Sequence, residues 1–116
     1  MSIVWNLTIM SNDEDFPHPL FGGSIEVDQE APGAGSPGVV EANDTPQTIN
    51  FSPLTPGLVY MENMDDELDV RISVTGDLLL KPGDKILLRL DTGASLDVET
   101  DAATHDAKVI VVGYNA

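Results

Sequence analysis

Apolar and polar positions alternate with period two through much of the chain. Ile3, Trp5, Leu7 and Ile9 fall between Val4, Asn6, Thr8 and Met10, and Leu68, Val70, Ile72 and Val74 fall between Asp69, Arg71, Ser73 and Thr75. A two-residue period built from β-branched and aromatic side chains predicts strands with one face buried. Shorter runs of the same kind lie at Ile25–Val27, Gly38–Glu41, Thr48–Phe51, Leu58–Glu62, Lys85–Leu90, Leu96–Thr100 and Lys108–Tyr114. No window keeps helical periodicity over ten residues.

Turn residues punctuate these runs at Asn63-Met64-Asp65-Asp66, Thr75-Gly76-Asp77, Lys81-Pro82-Gly83-Asp84 and Asp91-Thr92-Gly93. Pro82-Gly83 is a type II pair, with Pro presetting φ and Gly supplying a positive φ after it. Many short strands with regular turns predict an all-β fold, an antiparallel, jelly-roll-like β-sandwich occupying residues 1–116 as a single domain. Two stretches depart from the pattern. Gln29–Gly38 is rich in Pro, Gly, Ala and Ser and reads as a flexible surface loop or arm. Ser11–Phe21 joins an acidic cluster to Pro17-His18-Pro19 and reads as an irregular N-terminal excursion pinned by Phe16 and Phe21.

Length allows one ordinary domain of 116 residues, large enough to bury a core without a staple. The absence of cysteine removes disulfides, thiolate metal sites and cysteine nucleophiles together. With no basic leader and no apolar run of membrane-spanning length, the expectation is a soluble protein without an export signal.

Charge changes the picture more. Twenty Asp and Glu against five Lys and Arg give a net charge of −15. Residues 1–70 carry −13 with no Lys or Arg at all, while residues 71–116 carry −2. Such a field disfavours nucleic acid and anionic membranes and favours a basic partner surface.

Candidate chemistry is sparse. Asp91-Thr92-Gly93-Ala94-Ser95 after an apolar run resembles the signature of retroviral-type aspartic proteases, in which two carboxylates share a proton. Only 25 residues follow Asp91, too few for the flap and second apolar element of that family, so the expected role is a hairpin turn. Asp13-Glu14-Asp15 and Asp65-Asp66-Glu67 lack the ligand spacing of a calcium loop. His18 and His105 fall in unrelated loops and lack zinc-ligand spacing. Neither Gly22-Gly23 nor Gly33-x-Gly35 leads into a phosphate-binding helix. Sugar recognition usually exposes Trp or Tyr, and Trp5 sits in an alternating strand where burial is expected. No catalytic, cofactor-binding or metal-ligating residue is expected.

From Pro56-Gly57-Leu58 through the Asn63-Met64-Asp65 turn, Leu68-Asp69-Val70-Arg71-Ile72, Leu79-Leu80-Lys81-Pro82-Gly83-Asp84, Leu87-Leu88-Arg89-Leu90 and Val109-Ile110-Val111-Val112, the order of strands and turns resembles small β-sandwich virion proteins of tailed bacteriophages. The resemblance covers about half of the chain. It implies a non-enzymatic structural role without a cofactor, decorating or cementing the outer surface of a capsid made in the host cytoplasm. The implied partners are the major capsid protein and further copies of the chain, a trimer being favoured. Loop composition and charge asymmetry place the candidate capsid or subunit contacts at Ile3, Trp5, Phe16, Phe21, Pro32 and Pro37. The alternative is a fibre or tail module that recognises a host surface sugar.

Overall fold

The computed structural model describes residues 2–10, 19–28, 34–72, 78–91, 94–101 and 104–115. Every regular element among them is a strand. Contacts divide the chain into two units, Met1–Ala31 with Ala116, and Pro32–Asn115.

The first unit is an antiparallel hairpin of β1 (Ser2–Met10) and β2 (Pro19–Asp28). Its register runs from Ser2 opposite Asp28 to Ile9 opposite Phe21, with an irregularity after Ile9. Trp5 is half-buried opposite Ile25, and its neighbours Val4 and Asn6 are exposed, as the alternation predicts. Of the expected irregular Ser11–Phe21 segment, only the last three residues are described. Pro19–Phe21 is strand, and residues 11–18, including Phe16 and His18, lie outside the described residues.

The second unit holds eight strands: β3 (Ala34–Ala42), β4 (Gln47–Thr48), β5 (Leu58–Asn63), β6 (Val70–Ile72), β7 (Leu78–Leu80), β8 (Lys85–Arg89), β9 (Asp97–Thr100) and β10 (Ala107–Tyr114). They form two four-stranded antiparallel sheets, ordered β3-β10-β5-β8 and β4-β9-β6-β7. The pairing is nested. First pairs with last (β3 with β10), then β4 with β9, β5 with β8 and β6 with β7. One long hairpin has thus been folded across itself, and the β10–β5 and β9–β6 ladders close the fold. This wrapping is that of a jelly roll, as the strand pattern predicts.

The inward side chains of both sheets make one core. Val59, Met61, Val109 and Val111 from one sheet are fully buried against Val70, Ile72 and Val98 from the other. Ile49, Phe51, Leu90 and Leu96, from the crossovers between sheets, seal the sides. Two apolar faces that each expose backbone only to their own ladder must be covered, and stacking them does so.

Several predicted elements shift. Gln29–Gly38 is not a loop throughout, because Ala34–Gly38 belongs to β3. This segment tolerates strand geometry because it lies on a sheet edge. Gly35, where the register with β10 slips, takes φ of 101°, Gly38 just beyond it takes 94°, and the edge tolerates Pro37, which has no N–H to donate. Residues 29–33, including Pro32, lie outside the described residues. In the Leu68–Thr75 run Val70–Ile72 is strand, residues 73–75 lie outside the described residues, and Leu68 stays in the preceding turn because the Asp65 carboxylate accepts the N–H groups of Glu67 and Leu68 at 2.9 and 2.6 Å. Thr48–Phe51 shrinks to Gln47–Thr48, with the Asn50 side chain accepting the Ser52 N–H. The three consecutive leucines of β7 have no alternation to announce them. Asp91–Leu96 is not a hairpin turn; it carries the chain from β8 in one sheet to β9 in the other.

Candidate functional site

Four turns gather at one end of the sandwich: 43–46, 64–69, 81–84 and 101–106. Backbone bonds tie them together. Thr100 donates to the Asn43 carbonyl at 2.7 Å, Met64 to that of Lys108 at 2.9 Å and Asn63 to that of Asp84 at 3.0 Å.

Asn63, wholly buried at the end of β5, is the hub. Its Nδ2 donates to the carbonyls of Leu68 (2.8 Å) and Leu80 (3.0 Å), and its Oδ1 accepts the Asp65 N–H at 3.0 Å. Its carbonyl accepts the N–H of Gly83 at 2.9 Å. A buried amide spends all these groups on backbone, since leaving any unpaired in the interior is costly. The expected type II turn is present beside it, with Gly83 at φ 83°, Asp84 donating to the Lys81 carbonyl, and the Asp84 carboxylate accepting the Lys81 N–H at 2.9 Å.

The frame built around Asn63 presents charge. Asp44, Asp65, Asp66, Glu67, Asp69, Asp84, Asp101 and Asp106 all fall in these turns, with Lys81 and His105 as the positively charged or chargeable partners. His105, forty residues away in sequence, places Nε2 2.8 Å from Asp65 Oδ1. Nothing in the sequence links the two, since the pairing of β5 with β10 brings their turns together. Adjacent carboxylates along a strand would point to opposite faces; Asp65 and Asp66 sit in a turn instead, and their oxygens lie within 4.8 Å of each other and of a His105 ring nitrogen. One imidazole and two carboxylates are donors that suit a borderline divalent cation, and such an ion would compete with the Asp65–His105 hydrogen bond.

Hydrogen bonds set the titration here. The N–H of Leu68, then that of Glu67 and the His105 ring, hold the Asp65 carboxyl below its ordinary value of 3.8. The hydrogen bond to Asp65, followed by the nearby carboxylates, holds His105 above 6.5. The sign follows for each group. The contribution of His105 is complete below 6.5 and is lost as pH rises through its raised folded value. That of Asp65 is complete above 3.8 and is lost as pH falls through its lowered one. The pair therefore supports this end best between these limits. Thermal melts of the parent and His105→Ala should differ most near pH 5 and converge as pH rises through the raised His105 value, and Asp65→Asn should lower the His105 titration midpoint read by NMR.

The sheet faces turned away from the core differ. In β3-β10-β5-β8, Pro37, Val112, Tyr60 and Leu87 are successive register partners and form an apolar row across all four strands. Beside it run Val39 and Ile110, followed by Glu62 and Lys85, whose Oε1 and Nζ lie 3.0 Å apart. Tyr60 donates to the same Glu62 oxygen at 3.3 Å, and burial first, then the Glu62 charge, raises its pKa above 10. In β4-β9-β6-β7 the outward positions are polar apart from Leu79, which pairs with Arg71. Thr48 donates to Asp97 at 2.7 Å, and Arg71, paired across β6–β9 with Glu99, forks onto Asp101 at 2.7 and 3.1 Å.

The expected contact residues are scattered. Ile3, Trp5 and Phe21 belong to the hairpin, Phe16 and Pro32 lie outside the described residues, and Pro37 sits exposed on the apolar row. Asp91 is exposed at the crossover, and the Ala94 N–H donates to its carbonyl at 3.0 Å. A cleft of about 360 Å³ at the opposite end is lined by Phe51–Pro56 and Ala94. No protein-family profile, curated protein or solved structure matches the chain.

Proposed function

We propose that this chain is a non-enzymatic virion structural protein that decorates or cements the capsid of a tailed phage, binding the major capsid protein as a homo-oligomer. The observation that carries this reading is the jelly-roll wrapping with a separate N-terminal hairpin unit. A small sandwich of this kind can be repeated over a lattice, where many weak contacts add to high occupancy. The hairpin, carrying Ile3, Trp5 and Phe21, supplies the capsid contact. The acidic loop end suits a basic surface on the partner, since clustered carboxylates speed and orient encounter with positive charge.

A variant lacking residues 1–31 tests this. The sandwich has its own core, so the variant should keep its β-rich circular dichroism and cooperative melt while losing most of its occupancy on purified particles, read from a stained gel. Full occupancy by the truncated chain would remove the hairpin from the contact. A copy number limited to one fibre or tail set would instead support the host-sugar module.

A further inference from the structure

We infer that the outer face of the β3-β10-β5-β8 sheet is the surface by which two copies of this chain associate, sheet against sheet about a two-fold axis. The inference rests only on the homo-oligomer part of the reading above, and it points to a pair rather than the trimer that the family resemblance implies.

Charge selects the occupant. Each copy carries −15, so like copies repel wherever carboxylates predominate. The loop end is densely acidic, and the outer face of the other sheet presents Asp97 and Glu99 against Arg71. The β3-β10-β5-β8 face is different. It holds Lys85, Arg89 and Lys108 against Glu41 and Glu62, so cations outnumber carboxylates there although they are one in five of the charged residues overall. A basic partner would be drawn to the acidic end; a second copy fits here.

The geometry is self-complementary. The apolar row crosses the whole sheet, so a two-fold axis along it lays row on row and buries Val112 and Leu87 of both copies. Glu41 opposite Lys108 and Glu62 beside Lys85 lie on one side of the row and Arg89 on the other, so the ions border the apolar contact. Val39, 58% exposed on the edge strand, extends the apolar surface. Sheets packed in this way stand about 10 Å apart, the same spacing as in a sandwich core.

Sedimentation equilibrium of the full chain tests the inference. At about 100 μM the parent should sediment near twice its 12.4 kDa mass, and association should strengthen with added salt, because screening removes the repulsion between two −15 copies and leaves apolar burial. Val39→Glu, exposed enough to leave folding intact, should weaken association by about tenfold or more; Leu79→Glu, 37% exposed on the other sheet, should leave it unchanged. A parent that stays monomeric at high salt overturns the inference, as does equal loss in both variants. Solution mass reports on this face and particle occupancy on the virion reading, so the two can fail separately.

Discussion

Asn63→Asp is expected to lower the unfolding free energy by about 4 kcal/mol at neutral pH, although it changes a single atom of the side chain. The Asn63 amide donates to two backbone carbonyls, those of Leu68 and Leu80, at a position with no solvent exposure. A carboxylate there aims negative charge at two carbonyl oxygens in a position closed to solvent. The acceptor side is kept, because an oxygen still faces the Asp65 N–H. The pH dependence identifies the cause. Burial raises the pKa of the introduced carboxyl in the folded state, so the deficit is small below about 4, where both states are protonated. It grows as pH rises and levels off above the raised folded value. Urea unfolding of both proteins across this range measures it, and a deficit independent of pH would assign the loss to shape rather than charge.

Met61→Ala is expected to cost about 3 kcal/mol, while Met61→Leu costs less than about 1.5 kcal/mol. Met61 is fully buried in β5, opposite Val111 on one side and Ile86 on the other, within the two ladders that β5 makes. Strands on both sides prevent the backbone from collapsing into the space left by the missing atoms, so the alanine variant keeps a cavity. The urea midpoint should fall with an unchanged slope, since the surface exposed on unfolding is nearly the same. A loss below about 1 kcal/mol would mean that the core relaxes freely around β5.

Fold class was legible because period two is a local signal. The runs at Leu58–Glu62, Lys85–Leu90, Leu96–Thr100 and Lys108–Tyr114 each appear within a residue or so of the observed strands. Errors arose where a neighbour decided. The Gly- and Pro-rich stretch before Val39 is loop-like on composition and becomes an edge strand because β10 offers a ladder and Gly35 absorbs the bulge. Leu68 alternates correctly with Val70 and is nonetheless held in a turn by the Asp65 carboxylate. The leucines of β7 carry no period, and only their pairing with β6 makes them a strand.

The candidate site was less legible. Asn63 reads as a turn residue, and its turn is real, but nothing local marks an amide that joins β5, the following turn and β7. The meeting of His105 with Asp65 and Asp66 depends on a ladder between strands more than forty residues apart.

By itself the amino-acid order determined which side chains face inward, where the chain must reverse, and that carboxylates would dominate the surface, since each depends on neighbours one to four residues away. Tertiary pairing alone decided that the reversals nest into a jelly roll, that four turns crowd their acids at one end, and that one outer face is an apolar row bordered by cations. Those features join residues distant along the chain, and a contact between distant segments is set by which sheets close over the core, not by the local pattern of either segment.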